Sequence, residues 1–173
     1  LAHHISDALS YARFIERVSG AAPTVVDVGS GAGLPGIVIA AALPEAEVHL
    51  VERRRRRTAF LELATASLGL DNAQVFGGDV QDLTGVCAHV ITAQAVGEIV
   101  DLVRLTRHLH RDPCWLVSRR GTGHEVRLDG IAAALDPGAG TPGSAAKTVP
   151  AGAEVVEEPL EGRALQEQGG EEG

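Results

Sequence analysis

VVDVGSGAGLPG, residues 25–36, places four glycines within eight positions directly after an apolar run. A short run of β-branched residues that stops at glycine reads as a buried parallel strand feeding a tight turn. Glycines repeated at such a turn mean that something must approach the backbone where a Cβ would stand in the way. What approaches has to be read from the rest of the chain.

Working outward, apolar runs and helical spacings alternate. Residues 4–19 read as an amphipathic helix with Ile5, Leu9, Ala12, Phe14 and Ile15 facing inward, stopped by Gly20 to Pro23. Residues 24–28 are the first strand, and residues 34–43 a helix that ends before Pro44. Residues 47–51 are a second strand closed by Glu52, followed by a helix over 53–68 with Phe60, Leu61 and Ala64 inward. Strands follow at 72–76, 89–92 and 114–118, with a helix at 98–109 and a further one at 129–135. Strands alternating with helices over short links predict an α/β fold, a doubly wound, mostly parallel sheet of the Rossmann-like kind. Ligands in such sheets bind beyond the carboxyl ends of the strands. Gly29, Glu52, Asp79 and the segment after Thr92 all fall there.

The 173 residues suffice for one domain with a real core, and with 45% hydrophobic but 3% aromatic residues that core has to be Val, Leu, Ile and Ala. Cys87 and Cys114 lack metal-ligand spacing, and the seven histidines show no ligand pairing beyond His108-x-His110, so neither a metal site nor a disulfide framework is expected. No apolar run approaches the roughly 20 residues of a membrane span, and no signal peptide is evident. A reducing cytoplasm and a monomer are therefore the expectations. The chain starts at Leu1 and contains no Met, which predicts residues upstream of it. Charge is uneven. Residues 1–127 carry 13 basic and 14 acidic side chains, and residues 128–173 carry two and nine. Residues 1–135 are expected to form the folded domain, and the Gly-, Pro- and Glu-rich 136–173 to be largely loop or disordered, with Ala153–Val156 its one plausible strand.

The glycine turn fits two patterns. From Gly31 it matches GxGxxG, the dinucleotide fingerprint; from Gly29, with Asp27 ahead of it, it matches the GxGxG of class I AdoMet-dependent methyltransferases. The first frame leaves Gly29-Ser30 as an insertion and puts Pro35 where the close helix turn should run, whereas the second follows the strand without a gap. AdoMet carries no phosphate, so its methionine part would lie on bare backbone along the glycines. Asp27 could orient groups near its amino end. Glu52, ending the next strand, could accept both ribose hydroxyls, and Asp79 after the third strand could accept from the adenine amino group.

With these residues in place, DVGSGAGLPGIVIA followed by LVERRRRRTAFLELA resembles the RsmG (GidB) family, bacterial methyltransferases of guanine N7 in 16S ribosomal RNA. His4-Ile5-Ser6-Asp7-Ala8-Leu9 is similar to that family's H-x-x-D-S-L, and the resemblance is densest over residues 3–83. It implies a class I methyltransferase, with AdoMet as cofactor and small-subunit ribosomal RNA as partner. Leu34, Val80, Gln81 and Gln94 join Asp27, Gly29, Gly31, Gly33, Glu52 and Asp79 as cofactor residues. Arg56 and Arg57 stand at the family's basic pair, and Arg119-Arg120 where it has a lysine, so these four are the RNA candidates. Gln94 replaces a family arginine. A cofactor- or RNA-binding module without methyl transfer is the alternative this suggests, and a nicotinamide-dependent oxidoreductase is a third reading. Arg53–Arg57 wraps more than one helical turn, so the five cannot share one partner. Their charge opposes the macrodipole at a helix start, a cost that RNA phosphate could offset.

Overall fold

The computed structural model describes residues 2–94, 99–119, 124–127 and 155–156. Helix α1 (Ala2–Ser19) leads into strand β1 (Thr24–Val28), helix α2 (Gly36–Ala42), β2 (Glu47–Val51), α3 (Arg55–Leu68), β3 (Ala73–Phe76), β4 (Ala88–Gln94), α4 (Ile99–Thr106) and β5 (His110–Arg119). Two short strands, β6 (His124–Arg127) and β7 (Val155–Val156), complete the sheet. Its order is β3-β2-β1-β4-β5-β6-β7. Strands β1 to β5 pair in parallel, and β6 and β7 add antiparallel. Chain order reverses between β1 and β4, and in an open α/β sheet that switch point is where ligands bind.

Alternate residues of each strand feed two cores. Val25, Val48, Leu50, Val90 and Val117 pack under α1, α2 and α3 with Ile15, Ile39 and Leu61. Val26, Val28, Val51, Ile91 and Leu116 pack on the opposite face against Leu102 and Val103 of α4. Burial on both faces explains why these strands read as continuous apolar runs. At the amino-terminal edge the Asn72 side-chain amide donates to the carbonyls of Ala40, Leu43 and Ala46, tying the end of α2 to the start of β3.

Several sequence expectations are corrected. On α1 the inward face is Ala8, Tyr11, Ala12, Phe14 and Ile15, while Ile5 and Leu9 are exposed. The buried spacing 8, 11, 12, 15 is itself helical, displaced around the axis from the predicted stripe. On α3 Phe60 is half exposed and Leu61 is fully buried. Neighbouring residues stand about 100° apart on a helix, and Leu61 shares its face with the buried Thr65. Helix α2 begins at Gly36, two residues after the predicted start, with Pro35 at its N-cap. Strand β5 starts at His110 instead of Cys114, its register with β4 shifting between Ala88 and Val90. Pro113, which has no N–H for a ladder, falls in that irregular part. Strand β6 was not anticipated; HEVR offers only one strongly apolar residue. The expected helix at 129–135 lies outside the described residues.

Candidate active site

The end of β1 and the end of β2 are stitched together. Gly29 and Ser30 both donate their N–H to the carbonyl of Val51, at 2.9 and 3.0 Å. Gly29, Gly31 and Gly33 take φ of 73, 56 and 86°, a region that other residues enter only with strain. Gly33 N–H closes the turn on Ser30 O at 2.7 Å, and Ile37 N–H caps it on Gly33 O at 2.8 Å. Bare backbone therefore faces the carboxyl end of the sheet at the switch point, with Leu34 half-buried beside it.

Glu52 follows β2 and is 6% exposed. Its Oε2 accepts from Gly31 N–H at 3.1 Å and its Oε1 from Arg54 N–H at 2.9 Å. Each carboxylate oxygen has two acceptor positions, so a diol could still be received after both backbone bonds are made. Asp79 caps the short 3-10 turn Val80–Asp82, Oδ1 accepting from Gln81 N–H at 3.2 Å. Its Oδ2 lies 3.5 Å from Arg53 Nη1. Glu52 N–H in turn donates to Phe76 O, so the ends of β2 and β3 are joined. Gln94 ends β4, one residue beyond the Val28–Ala93 pair. The cofactor candidates on β1, β2, β3 and β4 are thus gathered on one rim.

Asp27 is not on the surface of that rim. It is 1% exposed, under α2, flanked by Leu50 of β2 and Thr92 of β4. Thr92 Oγ1 donates to Asp27 Oδ1 at 2.7 Å, while Oδ2 makes no hydrogen bond of normal geometry. Burial raises the Asp27 pKa to about 6, held from rising further by the Thr92 and Ser30 hydroxyls and the Gly36 N–H. Asp27 therefore lies buried beneath the loop, not on the exposed face of the rim. Thr92 was missed as a site residue; the signal was a hydroxyl inside the apolar run HVIT.

Gly36 is required for close packing at this point. A Cβ there would collide with Leu50 Cδ2 and stand 2.7 Å from Asp27 Oδ2. Both neighbours are buried and cannot yield. Gly36→Ala is expected to cost about 1–3 kcal/mol of stability, despite alanine's better helix propensity. A thermal melt as high as wild type would show that the contact relaxes freely.

Of the RNA candidates, Arg56 is exposed at the start of α3, whereas Arg57 reaches back to Glu52, Nη1 to Oε2 3.7 Å. Arg119 ends β5 beside Gln94, and Arg120 lies outside the described residues. Among the described residues no group of three metal-ligating side chains forms, and no helix is long and apolar enough to cross a membrane.

The arrangement offers bare backbone, a buried carboxylate with acceptor positions to spare and a polar turn beyond the next strand, and this fits an adenosine-bearing ligand. Comparisons with known proteins agree on the fold. The chain is similar to a putative S-adenosyl-L-methionine-dependent methyltransferase from Methanococcus maripaludis, with TM-score 0.55 and 17% identity, covering 66% of this chain and 54% of that one. An S-adenosylmethionine-dependent O-methyltransferase from Thermotoga maritima gives TM-score 0.55 at 16% identity, over 65% and 43% of the two chains. The fold is thus that of class I methyltransferases. In sequence, the chain is 37% identical over 129 residues to ribosomal RNA small subunit methyltransferase G of Neisseria meningitidis serogroup C, covering 75% of this chain and 60% of that protein. The protein of the same name from Ralstonia nicotianae is 41% identical over 143 residues, 80% of this chain and 62% of that one. The chain thus spans about 60% of the length of these curated relatives. The family model for GidB, rRNA small subunit methyltransferase G, matches residues 1–131, and with relatives of this identity the chain belongs to that family.

Proposed function

We propose that the protein transfers a methyl group from AdoMet to N7 of a guanine in small-subunit ribosomal RNA. The observation that carries this reading is the glycine turn at the switch point with Glu52 stitched beneath it, in a chain of the GidB family. AdoMet supplies an activated methyl group. The glycine turn and Leu34 would receive its methionine part, Glu52 would accept the ribose hydroxyls, and Asp79, Val80 and Gln81 would hold the adenine. Gln94, at the end of β4, would bring a neutral donor and acceptor to the cofactor. Guanine N7 attacks through a lone pair and has no proton to lose, so no general base is required. The side chains have to align the base and exclude water. Arg56, Arg119 and Arg120 would hold the RNA backbone, and their contacts would make binding salt-dependent. The protein would act as a cytoplasmic monomer without metal.

Incubation with tritiated AdoMet and small-subunit RNA from a strain lacking the family enzyme tests this. Label is expected at guanine N7. Binding of S-adenosylhomocysteine without any label transfer would favour the alternative, a cofactor-binding module that no longer methylates. Tighter binding of NAD than of AdoMet would overturn both.

A further inference from the structure

Two of the five arginines do not point away from the site. Arg57 Nη1 lies 3.7 Å from Glu52 Oε2. A Cβ built on Gly31 would stand 3.5 Å from the same nitrogen, so the guanidinium rests against the face that this glycine leaves bare. Arg53 likewise reaches Asp79, Nη1 to Oδ2 3.5 Å. The side chains of Arg54, Arg55 and Arg56 form no ion pair among the described residues. The run is therefore divided between residues that engage the cofactor acids and residues that face solvent.

Glu52 Oε2 already accepts from Gly31 N–H. A ribose hydroxyl and the Arg57 guanidinium would then contend for what acceptor capacity it has left, and for the same glycine surface. Arg57 is 51% exposed on its side chain, so it is held by a partly solvated pair that a ligand can displace. Once displaced, its guanidinium turns toward solvent, where an external anion can meet it.

We propose that Arg57 gates the ribose end of the cofactor site and passes from Glu52 to an RNA phosphate when the cofactor binds. The proposal rests on the AdoMet reading above. It makes cofactor and RNA binding mutually supportive: the cofactor releases Arg57 for the RNA, and the RNA draws Arg57 from the place where it opposes the cofactor. Linkage requires the two effects to be equal in size. A merely structural arginine that orients Glu52 would behave in the opposite way, since its removal would weaken cofactor binding.

The test is titration of S-adenosylhomocysteine into wild type, Arg57→Gln and the control Arg55→Gln, which removes the same charge from a side chain with no ion pair among the described residues. Arg57→Gln is expected to tighten S-adenosylhomocysteine binding by about two- to fivefold, the size of a partly exposed ion pair, and Arg55→Gln to leave it unchanged. Saturating S-adenosylhomocysteine should raise wild-type affinity for small-subunit ribosomal RNA by a similar factor, and should raise that of Arg57→Gln much less. Unchanged or weaker cofactor binding in Arg57→Gln overturns the gate. Tighter cofactor binding with an equal ligand effect on RNA in both proteins overturns the transfer to phosphate. Wild type that binds no S-adenosylhomocysteine at all overturns the AdoMet reading and the gate with it.

Discussion

Glu52→Ala is expected to damage both the ligand site and the fold beneath it. If Glu52 accepts the ribose hydroxyls, losing a charge-assisted acceptor weakens cofactor binding by about 1–3 kcal/mol. From the sequence the residue looks like a rim position whose removal leaves ligand-free stability nearly unchanged. Its surroundings contradict that. Glu52 is 6% exposed and accepts from the N–H groups of Gly31 and Arg54. Alanine leaves the Gly31 N–H half-buried without an acceptor and frees the start of α3, whose Arg54 cap position has no side-chain hydrogen bond of its own. Water can reach Arg54, so the stability loss should sit near about 1–2 kcal/mol. Urea denaturation without ligand, paired with calorimetric titration of S-adenosylhomocysteine, separates the two losses. Wild-type stability in the ligand-free mutant would mean that the glycine turn does not depend on this tether. Wild-type affinity would remove Glu52 from the ligand site.

How legible this was follows from what each feature needs. VVDV, EVHLV and HVIT are buried on both faces, so their apolar runs survive as one-dimensional signals. The acids that end strands are adjacent in sequence to those runs, which is why Glu52 and Asp79 could be placed on a common rim. The Phe60-Leu61 pair could not be resolved, because two adjacent apolar residues fit an inward face equally well until packing chooses one. The sequence makes Arg57 an RNA candidate, but a five-residue run of one charge gives no hint that its last member folds back over Gly31. The Thr92–Asp27 bond joins residues 65 positions apart, and only the β1–β4 register brings them opposite each other. Strand β6 pairs at the sheet edge on too few apolar residues to stand out, whereas β7, Val155–Val156, falls within the strand expected at 153–156.

Asp27 leads to a prediction about pH. Its carboxyl group faces Thr92 on β4, Ser30 in the turn, Gly36 on α2 and Leu50 on β2, with no basic side chain among them. Burial therefore goes uncompensated by charge, and the folded pKa of about 6 lies above the ordinary value of 3.8. A raised acid pKa means that the folded state holds the proton more tightly than the unfolded chain. Below pH 3.8 the group is protonated in both states and costs nothing. Between 3.8 and about 6 the unfolded chain ionises first, so stability falls as pH rises. Above that window the penalty is constant, about 3 kcal/mol from a shift of this size. Asp27→Asn has no such group to ionise. Its own fixed cost, from an amide facing the Gly36 N–H, does not vary with pH. The stability of Asp27→Asn minus that of wild type should therefore rise by about 2 kcal/mol as the buffer moves from pH 4, where part of the penalty is already present, to pH 7, whatever its starting sign. Denaturant titrations of the two proteins across that range measure it. Parallel curves would mean that Asp27 ionises in the folded protein as easily as in the unfolded chain, and that the space beneath the glycine turn is not the dry, uncharged environment the packing describes.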